Sequence, residues 1–137
     1  MKIAIAVEAD QHTVAVRMGH APFFQIYAVK DETVTDLGVV ENAHAGHHHG
    51  GHGHGQGAGH GHQHGRGVDP DEVQKHRRDL GAVKDCDAVL VRGVGPNMKA
   101  ALKAEEVAIY RAAARHGETA EALAQTFVQS PESFTQL

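Results

Sequence analysis

Residues 85–102 read DCDAVLVRGVGPNMKAAL. Cys86 to Val91 is the most continuously apolar run of the chain, the pattern of a parallel strand covered on both faces. It stops at Arg92-Gly93-Val94-Gly95-Pro96, and a helix follows in which Met98, Ala101 and Leu102 fall on one side. Strand, glycine turn and helix in succession specify an α/β sheet with helices packed on it. Toward the C-terminus, Val107 to Tyr110 reads as a short fifth strand. Thr119 caps a last helix in which Ala120, Leu123, Ala124 and Phe127 repeat at helical spacing. The tail after Pro131 has no readable period. Toward the N-terminus, VDPDEVQKHRRDL places Asp69 as N-cap, Pro70 at the first helical position and Glu72 three residues after the cap. That helix is expected to run to about Leu80, with Val73, Arg77 and Leu80 inward and His76 beside them.

The first third of the chain reads as three strands. Lys2 to Val7, KIAIAV, is a short buried strand whose end releases Glu8, Asp10 and His12 into a polar turn. After Gly19 and Pro22, Phe23 to Val29 alternates, with Phe24, Ile26 and Ala28 on one face. Val34 to Val40 follows across a turn so short that the pair is an antiparallel hairpin. The order βββ, long loop, αβαβα implies a mixed five-stranded sheet with three helices. Right-handed crossovers allow the first and fourth strands to lie parallel at its centre. A crevice is then expected beyond their carboxyl ends, with Glu8, Asp10 and His12 beside Gly93 to Asn97.

Between these halves lies AHAGHHHGGHGHGQGAGHGHQHGRG, residues 43–67, expected to interrupt a single domain spanning 1–137. Nine of the chain's 13 histidines and ten of its 16 glycines fall here, and no Asp, Glu, Lys or Arg occurs from Ala43 to Gly65. Such a tract has nothing apolar to offset the entropy glycine loses on ordering, so it builds no core. It lies mid-chain, whereas purification tags sit at termini. A solubilising linker is the plain reading. Metal binding is the chemical one, because neutral imidazole is the common protein ligand for nickel, zinc and copper. The ligand set is His44, His47, His48, His49, His52, His54, His60, His62 and His64, with His12 outside the tract. Without cysteine in the tract, thiolate sites for Cu(I), iron–sulfur clusters and zinc fingers are disfavoured.

Composition bounds the function classes. A chain of 137 residues with a formal charge of −4 has room for one core and lacks the basic balance of a general nucleic-acid binder. Protonating every histidine would carry that charge from −4 to +9, one unit for each of the 13. A single cysteine, Cys86, makes no internal disulfide. It reads as a small hydrophobe, since the flanking Asp85 and Asp87 oppose a thiolate. The apolar run of MKIAIAVEAD is too short for a signal peptide or membrane helix, so a cytoplasmic protein without a membrane partner is expected.

Three segments, MKIAIAVE, RMGHAPFFQIYAV and DCDAVLVRGVGPNMKAAL, together resemble the NifX-like accessory proteins, the dinitrogenase iron–molybdenum cofactor biosynthesis family, which also occurs as the C-terminal part of NifB. The resemblance covers nearly everything outside the loop. It implies a ribonuclease H-like fold with a five-stranded mixed sheet, binding of metal clusters or their precursors, exchange with cofactor-assembly proteins, and no turnover chemistry. The chain departs from the family where members commonly read His-Phe-Gly-Arg and it has Arg17-Met18-Gly19-His20, with the basic residue types exchanged.

The expected cluster or oxyanion site comprises Arg17, His20, Arg92, Gly93, Gly95 and Asn97. Glycines open backbone N–H groups at a helix N-terminus, and the arginines add charge-assisted bonds for an iron–sulfur or molybdenum species. The same turn can serve packing alone. His12 and His20 with Glu8 and Asp10 form a mixed nitrogen and oxygen set, although a lone loop histidine is usually just solvated. His76 reads as half-buried, with a place on the tract's metal as its alternative, His116 as surface, and Met18 as packing on Phe23 or Phe24. A metal-dependent phosphoester hydrolase on the same sheet would need converging carboxylates, and the fourth strand ends without one. No nucleophile, Walker or dinucleotide motif is present. The readings are a non-catalytic cluster carrier, the hydrolase, and a simple divalent-metal buffer.

Overall fold

The computed structural model describes residues 1–43 and 68–137. The nine tract histidines, His44 to His64, lie outside the described residues. The strands are β1 (Lys2–Val7), β2 (Phe23–Lys30), β3 (Thr33–Glu41), β4 (Ala88–Val91), β5 (Ala108–Arg111) and β6 (Thr135–Gln136). The helices are α1 (Pro70–Asp79), α2 (Pro96–Ala104) and α3 (Ala120–Gln129). They form one mixed sheet in the order β3-β2-β1-β4-β5-β6. The β1–β4 and β4–β5 pairs are parallel, and β1–β2, β2–β3 and β5–β6 are antiparallel. The expected central pairing of the first and fourth strands is present, from Ile3↔Ala88 to Ile5↔Leu90.

The sheet has six strands, which corrects the expectation of five. The additional strand pairs with β5 at only two positions, Tyr110↔Gln136 and Arg111↔Thr135, too short to carry a hydrophobic period. The fourth strand begins at Ala88 and not at Cys86, because the Cys86 amide closes the preceding turn by donating to Val83 O at 3.0 Å. Burial pushes the Cys86 thiol pKa up.

Strand alternation divides β1 between two cores. Its small residues Ala4 and Ala6 pack with Val89, Val91, Met98 and Leu102 under α1 and α2. Its large residues Ile3, Ile5 and Val7 pack with Leu90, Leu123 and Phe127 under α3. Both expected caps are made. Asp69 accepts from Asp71 N at 2.9 Å, and Thr119 Oγ1 accepts from Ala122 N at 3.2 Å.

His116 is buried, with 5 % of its surface exposed, which corrects its reading as a surface residue. Nδ1 accepts from Ala113 N at 2.9 Å, so Nε2 carries the proton and donates to Ser133 Oγ at 3.1 Å. The ring stacks on Phe134 at 4.0 Å between centroids. This side chain ties the C-terminal segment to the turn after β5. His116→Ala should cost about 2–4 kcal/mol, from lost packing and two lost hydrogen bonds. Denaturant unfolding measures the loss. Amide exchange should quicken most at Leu137, whose N–H donates to Ile109 O at 2.8 Å.

Candidate functional site

At the carboxyl end of β4 the chain turns through Gly93-Val94-Gly95 into α2. Met18 N donates to Gly93 O at 3.0 Å, joining this turn to the Arg17–His20 turn. A Cβ on Gly93 would stand 3.0 Å from Val16 O, so packing alone accounts for that glycine. Gly95 differs. It is the N-cap of α2 with an ordinary φ of −76°, and a Cβ there would meet nothing within 4 Å. Among the described residues nothing crowds this position, and glycine serves there as the N-cap of the helix.

A cavity of about 180 Å³ opens between these turns, and Arg17, His20, His76, Gly93, Gly95 and Asn97 are among the residues lining it. The N–H groups of Asn97 and Met98, in the first turn of α2, have no acceptor within the helix. The helix dipole favours negative charge at the same point. Arg17 and His20 are exposed at the rim, and His76 is 9 % exposed. His76 Nδ1 lies 2.7 Å from Glu72 O, a contact in which the ring must donate because a carbonyl only accepts. Nε2 is therefore the nitrogen that carries the lone pair in the neutral ring. This backbone-oriented imidazole is the arrangement that metal-binding histidines use.

The other expected residues stand elsewhere. Arg92 follows Leu90 in strand parity, so it points to the α3 side. One of its terminal nitrogens donates to Gly117 O at 3.0 Å, and its buried Nε has no partner among the described residues. His12 is exposed and lines a second cavity on the α3 side of the sheet. Asp10 folds the turn after β1. Its Oδ1 accepts from His12 N and Thr13 N, both at 2.9 Å, and its Oδ2 from Thr13 Oγ1 at 2.6 Å. The Thr13 hydroxyl, then these two amides, hold the carboxyl pKa down at about 2. Glu8 does not line the first cavity either. The expected crevice is thus two separate places, because β1 sends its following turn to the α3 side while β4 turns toward α2. Among the described residues no group of three or more His, Cys, Asp or Glu side chains is placed to hold a metal ion.

The family model for dinitrogenase iron-molybdenum cofactor matches residues 1–130. The chain belongs to this family. Two solved structures share its fold. One is a crystal structure from Methanocaldococcus jannaschii described as a candidate dinitrogenase, with TM-score 0.58 and 14% identity, covering 100% of this chain and 94% of that one. The other is an NMR structure from Thermotoga described as a candidate NifB protein, with TM-score 0.52 and 24% identity, covering 93% of this chain and 87% of that one. No curated protein matches the chain. No helix among the described residues is long and apolar enough to cross a membrane. His76 lines the cavity although it was not among the residues expected there. Its position one turn from Val73 and Leu80 marked the inner face of α1, but which end of the sheet that face covers is a tertiary fact.

Proposed function

We propose that the protein is a non-catalytic carrier of the iron–molybdenum cofactor biosynthesis type. In this reading it holds a metal cluster or oxyanion precursor as cargo in the cavity at the amino end of α2, and its histidine tract captures nickel, zinc or copper ions. Cofactor-assembly proteins are its partners, and a ribonuclease H-like sheet is its scaffold. The donor set suits such cargo. Arg17 and the Asn97 and Met98 amides can meet sulfide or oxo groups, and the His20 and His76 imidazoles line the same cavity. At about 180 Å³ the cavity is smaller than the roughly 300 Å³ at which sites begin to enclose a drug-sized ligand. Cargo would be gripped at one face and remain accessible for transfer.

The observation that carries this reading is where the tract is anchored. On one side Asn42, 5 % exposed, donates through Nδ2 to Met18 O at 3.2 Å and Ala21 O at 2.7 Å. On the other, Asp69 N donates to Asn97 Oδ1 at 2.8 Å. The chain therefore enters and leaves the tract at the cavity's own rim, which keeps captured metal at high effective concentration beside it. Reconstitution with an iron–sulfur or molybdenum precursor tests the proposal. Stable binding should survive deletion of 44–64 and weaken about 10- to 100-fold in the Arg17→Ala, His20→Ala double variant, as lost ligand contacts do. Unchanged binding in that variant would place the cargo elsewhere. A magnesium-dependent phosphoesterase rate lost in Asp10→Ala would make the hydrolase the better account.

A further inference from the structure

We propose that the second cavity, between the β2–β3 hairpin and the amino end of α3, binds a small organic cation whose head is a guanidinium or ammonium group. At about 390 Å³ it is more than twice the size of the first and falls within the usual range for small-molecule sites. Its floor is polar where a sheet under a helix is normally apolar. Gln25 and Tyr27 line it at 5 % and 6 % exposure. The Gln25 amide orientation is determined by its surroundings. Nε2 faces three acceptors, Asp36 Oδ1 at 2.6 Å, Gly38 O at 3.1 Å and Ile26 O at 3.2 Å, so Oε1 is turned away from them. Among the described residues Oε1 accepts no hydrogen bond, and the Tyr27 hydroxyl makes none. Both oxygens remain open to the cavity, where the N–H groups of a ligand can take the place of water.

The charge of the lining selects that ligand. Asp36 and Glu121 stand at the mouth, both exposed, and neither has a cationic partner among the described residues. Asp36 Oδ1 is taken by Gln25 and by Gly38 N at 2.7 Å, which leaves Oδ2. Among the described residues no lysine or arginine lines the cavity. The amino end of α3 would ordinarily attract an anion, but two of its first three amides are already served and a carboxylate stands beside them. Ala120 N donates to His12 O at 2.8 Å, Thr119 caps Ala122 N, and Glu121 adds negative charge to the first turn. Burial first, then the Asp36 and Glu121 carboxylates, pushes the Tyr27 hydroxyl up to about 12, so it stays protonated. A surface of carboxylate, amide and phenol oxygens is complementary to several N–H donors that carry positive charge.

The test titrates full-length ¹⁵N-labelled protein with L-arginine amide and 1,4-diaminobutane, and with glutarate as an anionic control. Saturable shifts should appear at the Gly38 and Glu121 amides with at least one cation and not with glutarate. Tyr27→Phe, which removes only the hydroxyl, and Glu121→Gln, at the exposed rim, should each weaken that binding about tenfold, the worth of one hydrogen bond to a charged group. Arg17→Ala, at the other cavity, should leave it unchanged. Absence of saturation, an equal response to glutarate, or undiminished binding in both cavity variants overturns the proposal.

Discussion

Deleting residues 44–64 is expected to abolish high-capacity binding of Ni²⁺, Zn²⁺ and Cu²⁺, whereas changing any one tract histidine to alanine should barely alter it. The asymmetry follows from redundancy. His47, His48, His49, His52 and His54 form one dense group and His60, His62 and His64 another, so an ion deprived of one imidazole finds a neighbour. Glycine between the ligands imposes no geometry, which gives capacity without selectivity. The ligands must be neutral, and ordinary imidazole titrates near about pH 6.5. Affinity should therefore be full above that range and collapse between about pH 7 and pH 5 as protons displace metal. Calorimetric titration of wild-type and deleted protein at both pH values measures this. Equal binding by the two proteins would assign divalent-metal binding to the folded part and remove the tract from the mechanism.

Much of the fold was legible because local signals and tertiary structure agree. The uninterrupted apolar run at Ala88–Val91 is a strand buried on both faces, and the Asp69-Pro70 and Thr119 caps start α1 and α3 where the side chains said they would. The short turn between Lys30 and Thr33 made the hairpin. What escaped depends on contacts distant in sequence. β6 exists only through two pairings with β5, and His116 is buried by Ser133 and Phe134, 17 and 18 residues further on. Arg92 was readable in principle. Counting alternation from Val91 puts it on the face opposite Met98, and that parity separates it from the other residues of the expected site. Of the expected site residues, those in the turns Arg17–His20 and Gly93–Asn97 do line one cavity, because glycine in a turn opens the backbone where two turns meet. The split of the expected crevice into two cavities was not legible, since it depends on which way the chain leaves β1.

Gly95→Ser should abolish cargo binding at the first cavity while leaving the fold as stable as before, or slightly more so. The two effects separate because of what position 95 does. As the N-cap of α2 with extended φ and ψ, it accepts any L residue, and serine caps a helix better than glycine by a few tenths of a kcal/mol. A Cβ meets no atom of the described residues within 4 Å, so none of them resists it. The new side chain is added at the cavity's lining, and its hydroxyl can fold back onto the Asn97 or Met98 amide that would otherwise meet an anion. Adding atoms to a site that must close round its ligand costs on the order of a hundredfold in affinity. Thermal unfolding and precursor binding, measured on the same preparation, should thus move independently. Weaker binding together with a lowered unfolding temperature would mean that the helix had been disturbed and the cavity never tested. Unchanged binding with unchanged stability would show that cargo does not approach the backbone at Gly95, and the anion-favouring end of α2 would lose its part in the proposed function.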